Sequence, residues 1–422
     1  MTATPDLLAE PTTRVGRRWL TTFALAWLGV WLAQLTPIQL LLPLQVDDVL
    51  GTDATSATGW VDSVVAYGVI SGIAGVFALA AYPLAGTASD RTRSRFGRRR
   101  PWIAVGSLVF AAGLLGLSAA HDVVTVGVGW VVALVGFCIV TAVLTAAISD
   151  QVPVDQRGLA SGLVSAPQAL GIIVGLAVVT VAGWGQLGGY VFSAVALLVL
   201  VLPFLVSLPD PPSTGHERPA FSWREVVTAL WVDPREHPDF GWVLAGRLLV
   251  NLGNAIATTL LLYYLEYGLR RPHAEDDLLL LSVVYMLFVI VASVWLGRAS
   301  DRTGRRRPFV VVAALLQAVA GVLLVVAPTF PAAVVGGALL GAGYGSFLSV
   351  DQALATQVLP DPATRGKDLG IMNVATAGPQ AFGPLVGAGL VVAFGGFSGL
   401  FLVSALTALL GGATTLFVRS VR

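Results

Sequence analysis

The sequence contains few of the residues that form disulfides, bind metals or catalyse reactions. Its one cysteine, Cys138, excludes an intrachain disulfide. The four histidines have no metal-ligand spacing, and HExxH, GxSxG and P-loop motifs are absent. Gly341-x-Gly343-x-Gly345 lies within an apolar run and predicts close helix packing, not a nucleotide loop. We therefore expect neither an enzyme nor a bound cofactor or metal.

Charged residues are also scarce. They make up 12% of the chain, while 56% of its residues are hydrophobic. A typical soluble domain carries about 25% charged residues and needs far less apolar surface for its core. The composition therefore predicts a membrane protein whose main partner is the lipid bilayer. The net charge of +1 argues against a nucleic-acid partner.

Twelve apolar runs are long enough to cross the bilayer, since about 20 helical residues span about 30 Å of hydrocarbon. They predict an all-α membrane protein with two six-helix bundles, 19–207 and 239–418. A tail (1–18), a linker (208–238) with a short helix from Ser222 to about Trp231, and a second tail (419–422) complete the chain. The runs lie at 19–43, 57–85, 101–120, 123–149, 159–184, 187–207, 239–265, 278–299, 308–327, 330–357, 368–393 and 397–418.

The basic residues predict the orientation of these spans. Of the 25 lysine and arginine residues, 22 fall in the tails and loops of one side. Arg270 and Arg271 lie on the opposite side, and Arg247 lies within a span. Because basic loops stay on the cytoplasmic side, we expect both termini in the cytoplasm and the protein in the plasma membrane.

The chain contains an internal repeat. Gly86–Thr92 (GTASDRT) reappears as Gly297–Thr303 (GRASDRT), and Gly97–Pro101 (GRRRP) reappears as Gly304–Pro308. Two further pairs occupy matching places: Arg157-Gly158 with Arg365-Gly366, and Pro167-Gln168 with Pro379-Gln380. Two parallel six-helix repeats are a known plan of alternating-access transporters, in which substrate binds between the repeats.

These motifs resemble the loop 2–3 signature of the major facilitator superfamily, and the likeness covers nearly the whole chain. Pro83–Pro101 is similar to the same loop of the glycoside–pentoside–hexuronide cation symporters, above all their sucrose-transporter relatives. Leu369–Asn373 with Pro379-Gln380 resembles span 11 of that group. The chain departs from it at Tyr82, where the sodium-coupled members carry an acidic residue. The resemblance therefore implies proton coupling instead of sodium coupling.

The repeated loops have two interpretations. Their arginines either only anchor the topology or form a cytoplasmic gate, in which an aspartate accepts hydrogen bonds from an arginine or a helix N-terminus. The resemblance and the repeat favour the gate. Its candidate residues are Gly86, Asp90, Arg91, Arg98, Gly297, Asp301, Arg302 and Arg305, with Asp150, Arg157 and Arg365 in the next loops.

Ionisable residues inside spans are costly and usually functional. Arg247 shares one face of span 7 with Asn251 and Asn254, and Asp351 shares a face of span 10 with Tyr344. Arg247 and Asp351 both lie roughly 10 Å from the cytoplasmic ends of their spans. We expect them to pair and to handle substrate or protons. The alternative is that Arg247 extends to the interface or caps a neighbouring helix.

Other polar residues in the spans are candidates for substrate contact. Trp31 and Gln34 in span 1 offer an aromatic face and an amide, a combination that suits a sugar. Gln168 forms a polar stripe in span 5 with Ser161 and Ser165, and Asn373 and Gln380 form another in span 11. The alternative for all of them is that they hold helices together.

The sequence thus predicts a secondary active transporter that takes up a sugar or glycoside together with protons and works as a monomer. One alternative is a proton-coupled exporter of drugs or metabolites. Another is a sensor or lipid-handling protein that kept the fold and lost transport. The motifs do not identify the substrate, because fold and gate are shared across unrelated substrates.

Overall fold

The computed structural model describes residues 11–52, 59–153, 156–210, 235–357 and 365–418. Over these residues it is all α-helical, with twelve helices long and apolar enough to cross a membrane. This confirms the predicted fold class and number of spans. The predicted linker helix at 222–231 lies outside the described residues. The long helices are α1 Arg17–Thr36, α2 Gly59–Arg91, α3 Arg100–Ser118, α4 Val123–Gln151, α5 Arg157–Ala182, α6 Gly185–Ser207, α7 Pro238–Thr259, α8 Ala274–Thr303, α9 Arg307–Val326, α10 Phe330–Gln357, α11 Arg365–Phe394 and α12 Phe397–Thr414.

Two of these spans continue beyond their α-helix through a short π-helical turn. After α1 the chain forms a π-helical turn, Pro37–Leu41, and then a short helix, Leu42–Leu50. After α7 it forms Leu261–Tyr263 and the π-helical turn Tyr264–Gly268. Pro37 explains the first change, since proline lacks the N–H that would continue the α-helical hydrogen bonds. Both turns alter the direction of the side chains that follow them.

Contacts divide the chain into two compact units. Unit 1 contains Met1–Leu41 and Val76–Ala220, and unit 2 contains Leu42–Gly75 and Phe221–Arg422. Residues 42–75 therefore group with unit 2, although the repeat assigns them to the N-terminal bundle. The reason is packing, because three glycines of α2 lie directly against α11. These contacts pair Gly68 with Ala388, Gly72 with Leu385 and Gly75 with Ala381.

Glycines also set the packing of α10 in unit 2. A Cβ atom at Gly341 or Gly345 would overlap the backbone of α8 at Tyr285 and Val289, respectively. A Cβ atom at Gly343 would lie 2.7 Å from the carbonyl oxygen of Ala313 in α9. The three glycines therefore let α10 approach both neighbours closely, as small residues do in membrane helices. The predicted packing role of this motif is confirmed.

Candidate functional site

In unit 1, the loop between α2 and α3 is organised around Arg99. Its side chain is buried, and its Nη2 and Nε atoms donate to Asp90 Oδ1 and Asp150 Oδ2, both at 2.7 Å. Its Nη1 donates to Ser89 Oγ at 2.5 Å. Arg98 Nη2 lies 2.7 Å from the other oxygen of Asp150. One guanidinium thus ties the end of α2 to the end of α4 at the start of α3.

Arg99 carries its charge firmly. Burial alone would lower the pKa of its guanidinium, but the hydrogen bonds and charges of Asp150 and Asp90 raise it above its usual value. Both carboxylates pair with the same guanidinium, so separation of the three helix ends would leave these charges without their partner. This cluster can therefore hold the ends of α2 and α4 against the start of α3.

The start of α3 is fixed by a residue that follows α6. Asp210 Oδ2 accepts from the backbone N–H groups of Arg99 and Arg100, at 2.7 and 2.9 Å. A carboxylate is favourable there because the N-terminus of a helix carries a partial positive charge. Arg100 in turn donates from Nε to Leu208 O at 2.9 Å. The end of α6 is therefore bound to the start of α3.

Unit 2 repeats part of this arrangement. Arg306 Nη1 donates to Ser300 Oγ at 2.9 Å, as Arg99 does to Ser89. Arg307 donates to the carbonyl of Val418 after α12, as Arg100 does to that of Leu208 after α6. The sequence repeat is therefore also a repeat of side-chain contacts within each unit.

A second polar cluster lies inside unit 2, between α7, α10 and α11. Arg247 Nη1 lies 3.2 Å from Asp351 Oδ2, and Arg247 Nε donates to Thr376 Oγ1 at 3.0 Å. The Arg247 and Asp351 residues are 7% and 4% exposed, so this is a buried ion pair. The Nη1 atom of Arg247 makes no hydrogen bond of good geometry. The two charged groups are therefore close to each other, but they are not joined by a well-directed hydrogen bond from Nη1.

Amide and phenol groups surround the ion pair. Asn251 Nδ2 donates to the carbonyl of Arg247 at 2.8 Å, and Tyr344 Oη donates to Asn251 Oδ1 at 3.0 Å. One turn further along α7, Asn254 Oδ1 accepts from Tyr285 Oη of α8 at 2.9 Å. We call Arg247, Asn251, Asn254, Tyr285, Tyr344, Asp351 and Thr376 the α7 network. It joins four helices through neutral polar groups around one ion pair.

Comparison with known proteins places the chain in a family. The model of the Major Facilitator Superfamily matches residues 19–275 and 273–422. This chain belongs to the major facilitator superfamily. Uncharacterized MFS-type transporters of two Mycobacterium tuberculosis strains are 27% identical to it over 301 residues. Each match covers 67% of this chain and 64% of the relative, slightly less than two thirds of the relative's length.

Solved structures of the same superfamily share the fold. A variant of the nucleoside transporter NupG matches with a TM-score of 0.72, 14% identity and coverage of 95% of this chain and 99% of that chain. The xylose transporter XylE from E. coli matches with a TM-score of 0.69, 13% identity and coverage of 95% and 97%. With its twelve candidate spans, the chain is a multi-pass membrane protein of this superfamily, and these solved structures share its fold.

The predicted gate residues have different surroundings in the structure. Asp90, Asp150 and Arg98 lie in the Arg99 cluster, whereas the Arg91, Arg302 and Arg305 side chains are exposed. Arg157 Nε donates to Val152 O at 3.3 Å. Gly86 has open space around it, and Gly297 packs on Ser349. The side chains of Asp301 and Arg365 are outside the described set.

Sequence reasoning missed the arginines that organise the two loops. We had singled out Arg98 and Arg305, whereas Arg99 and Arg306 contact the repeated serines Ser89 and Ser300. The repeat held a usable signal, because the serine and the middle arginine each occupy the same position of their own motif in both copies. Thr376 and Tyr285 were missed as well, since no charge or motif marks them.

The structure describes most of the predicted polar candidates of α1, α5 and α11. Trp31 Nε1 donates to Val164 O at 3.1 Å, and its ring stacks on Trp27, which is helix packing. Gln34 is buried, and its Oε1 atom has no hydrogen-bond partner in the part of the chain that the structure describes. Gln168 is half-buried and Gln380 is exposed. The side chain of Asn373 is outside the described set.

Gly97 gives a direct test of the loop geometry. Its φ is +89°, and a Cβ atom there would overlap the carboxyl group of Asp210. Gly97→Ala should therefore combine backbone strain of about 1–2 kcal/mol with displacement of the α3 cap, and lower the melting temperature clearly.

Gly304→Ala is the matched control for Gly97→Ala. Gly304 holds the same repeat position with a φ of +63°, but it has open space around it. Its replacement should cost only the strain, so its melting temperature should fall less. Equal losses in the two variants would show that the Asp210 contact contributes nothing.

Proposed function

We propose that this superfamily member is a proton-coupled symporter that takes up a neutral sugar or glycoside through the plasma membrane, with both termini in the cytoplasm. The observation that carries the proposal is the buried Arg247–Asp351 pair of the α7 network. A buried charge pair inside a span is expensive to keep and is typical of substrate or proton pathways. The orientation is supported by the distribution of basic loops.

The geometry of the pair suggests how a proton enters the cycle. Arg247 balances the charge of Asp351 at 3.2 Å, without a hydrogen bond of good geometry from that nitrogen. When substrate or helix movement separates the two, Asp351 is left as a buried carboxylate. Such a group takes up a proton more readily than it stays charged in apolar surroundings. Substrate binding and protonation are then linked through one contact.

The groups around the pair favour a neutral, hydroxylated substrate. Asn251, Asn254, Tyr344 and Tyr285 donate and accept hydrogen bonds without charge. The ion pair adds no net charge that would select an ionic substrate. The resemblance to glycoside–pentoside–hexuronide symporters supports this class, and the structural neighbours NupG and XylE are described as nucleoside and xylose transporters.

Tyr82 supports protons over sodium as the coupling ion. It stands where the sodium-coupled members of the resembled group place a carboxylate. A phenol is a poor ligand for a hard cation that prefers several oxygen atoms with some charge. The carboxylate of Asp351 then serves as the proton acceptor within the spans.

Ligand-induced thermal stabilisation tests the substrate class. A neutral sugar or glycoside should raise the melting temperature of the purified transporter, because ligand that binds only the folded state stabilises it. Tyr344→Phe removes one hydroxyl of the α7 network and should weaken the affinity by about tenfold, which corresponds to about 1.4 kcal/mol.

Tyr264→Phe is the matched control for the ligand screen. The hydroxyl of Tyr264 is buried in unit 2 and has no hydrogen-bond partner, so its loss should leave the affinity unchanged. Stabilisation only by cationic drugs, or equal weakening in both variants, would rule out sugar binding at the α7 network and favour an exporter.

A further inference from the structure

Segments from both sequence repeats meet within unit 2 at the end of α2 opposite to Asp90. Tyr263 Oη, after α7, donates to the carbonyl of Pro43 in the short helix after α1, at 3.1 Å. The ring of Trp60, at the start of α2, stacks on Tyr267 and Phe397 with centroid distances of 5.7 and 5.4 Å. By the predicted orientation, this end faces outward. Alternating access requires these contacts to form and separate in each cycle.

Asp47 is buried in this contact. The residue is 5% exposed, and among the described residues neither of its carboxyl oxygens has a hydrogen bond of good geometry. The hydroxyls of Ser63 and Tyr267 lie nearby. Ser63, however, directs its hydroxyl to Thr52 Oγ1 at 2.9 Å. Buried side-chain polar groups are nearly always satisfied, so this carboxyl group requires an explanation.

The charged groups that interact with Asp47 are negative. Within the described residues, Glu266 acts on it from the π-helical turn after α7, and Asp48 acts on it from the same short helix. Tyr267 and Tyr263 are the other titratable groups against it, and α2 contributes the uncharged Ser63. The pKa of Glu266 is raised by burial and by the charges of Glu275 and Asp48. These surroundings therefore suit a neutral carboxyl group at Asp47 and oppose a carboxylate.

We propose that Asp47 is a proton-binding site whose occupancy controls closure of this end of the transporter. With the contact closed, Asp47 holds a proton because burial and the negative charges of Glu266 and Asp48 oppose its carboxylate, and no cation among the described residues balances it. With the contact open, water reaches Asp47 and the proton leaves. The closed form thus binds one more proton than the open form, so a lower pH on this side favours closure.

Distance measurement between two spin labels tests the proposal in the full-length protein. The labels replace exposed residues on either side of the contact, Val65 on α2 and Phe394 at the end of α11, in a Cys138→Ser background. We expect the ratio of short to long distances to rise as the pH is lowered from about 8 to 5, by up to about tenfold per pH unit. In Asp47→Asn, the short distance should dominate at every pH.

Two further variants separate Asp47 from other carboxyl groups. Asp62→Asn changes an exposed carboxylate of the first turn of α2 and should titrate like the unchanged protein. Asp47→Glu keeps a carboxyl group and should keep the pH dependence. A ratio that is independent of pH, or one that still titrates in Asp47→Asn, would overturn the proposal.

The same labels distinguish a proton from a metal cation. Replacing sodium with choline at constant pH should leave the distances unchanged. A shift with sodium that disappears in Asp47→Asn would show a cation site and overturn proton binding. None of these measurements contains substrate, so they stand apart from the proposed symport of a sugar.

Discussion

Replacing Arg99 with alanine should reduce transport by at least about tenfold and lower the melting temperature. The change leaves Asp90 and Asp150 without their shared guanidinium, although Arg98 still contacts Asp150. Removing one partner of a fully buried pair costs about 3–5 kcal/mol. The cost here should be smaller, because the Asp90 side chain is 40% exposed and water can solvate it. Uptake per folded molecule and the melting temperature measure the two effects.

Two variants show whether the geometry of Arg99 or its charge matters. Arg93→Ala removes an exposed arginine of the same loop and should leave uptake near its original level. Arg99→Lys keeps the charge but cannot direct three nitrogens to Ser89, Asp90 and Asp150, so it should restore only part of the uptake. Equal activity of Arg99→Ala and Arg93→Ala would mean that the loop only fixes topology.

Single replacements of Arg247 or Asp351 should be the most damaging changes in the spans. Arg247→Gln or Asp351→Asn leaves the other group buried and uncompensated, at a cost of about 3–5 kcal/mol. We expect both variants to lose proton-driven uptake and to unfold at lower temperature. Uptake assays and thermal unfolding of the purified variants check this.

Double variants distinguish the effect of the buried charges on stability from their role in proton coupling. Exchanging the two residues, Arg247→Asp with Asp351→Arg, should recover part of the lost stability, since the buried charges are again paired. Replacing both with apolar residues, Arg247→Met with Asp351→Leu, should restore stability but not coupling. Strictly additive single effects would show that the two residues do not act as a pair.

The spans could be predicted because the length of an apolar run is a local property. The π-helical turns could not, although Pro37 marks one of them. The turn Tyr264–Gly268 has no such marker in the sequence. It follows Tyr263, whose hydroxyl donates a hydrogen bond to the carbonyl of Pro43, far away in sequence. The grouping of residues 42–75 with unit 2 likewise depends on close approach of α2 to α11.

The contacts of the candidate site could be predicted where they follow from the depth of a residue in its span or from an i+4 spacing on one helix. The Arg247 and Asp351 side chains do contact each other, and Asn251 lies beside them. Thr376 and Tyr285 depend on the rotation of α11 and α8, which the sequence does not determine. Asp47 and Asp48 look alike at the end of a span, and only the packing after Pro37 decides that Asp47 is the buried one.

Uptake into proteoliposomes under an imposed gradient tests proton-coupled symport most directly. A sugar or glycoside found by thermal stabilisation should accumulate when the outside is more acidic, with no sodium present, and its entry should carry protons inward. Asp351→Asn should abolish accumulation under the proton gradient. Accumulation driven by a sodium gradient at constant pH, or substrate moving outward against the proton gradient, would contradict the proposed mechanism.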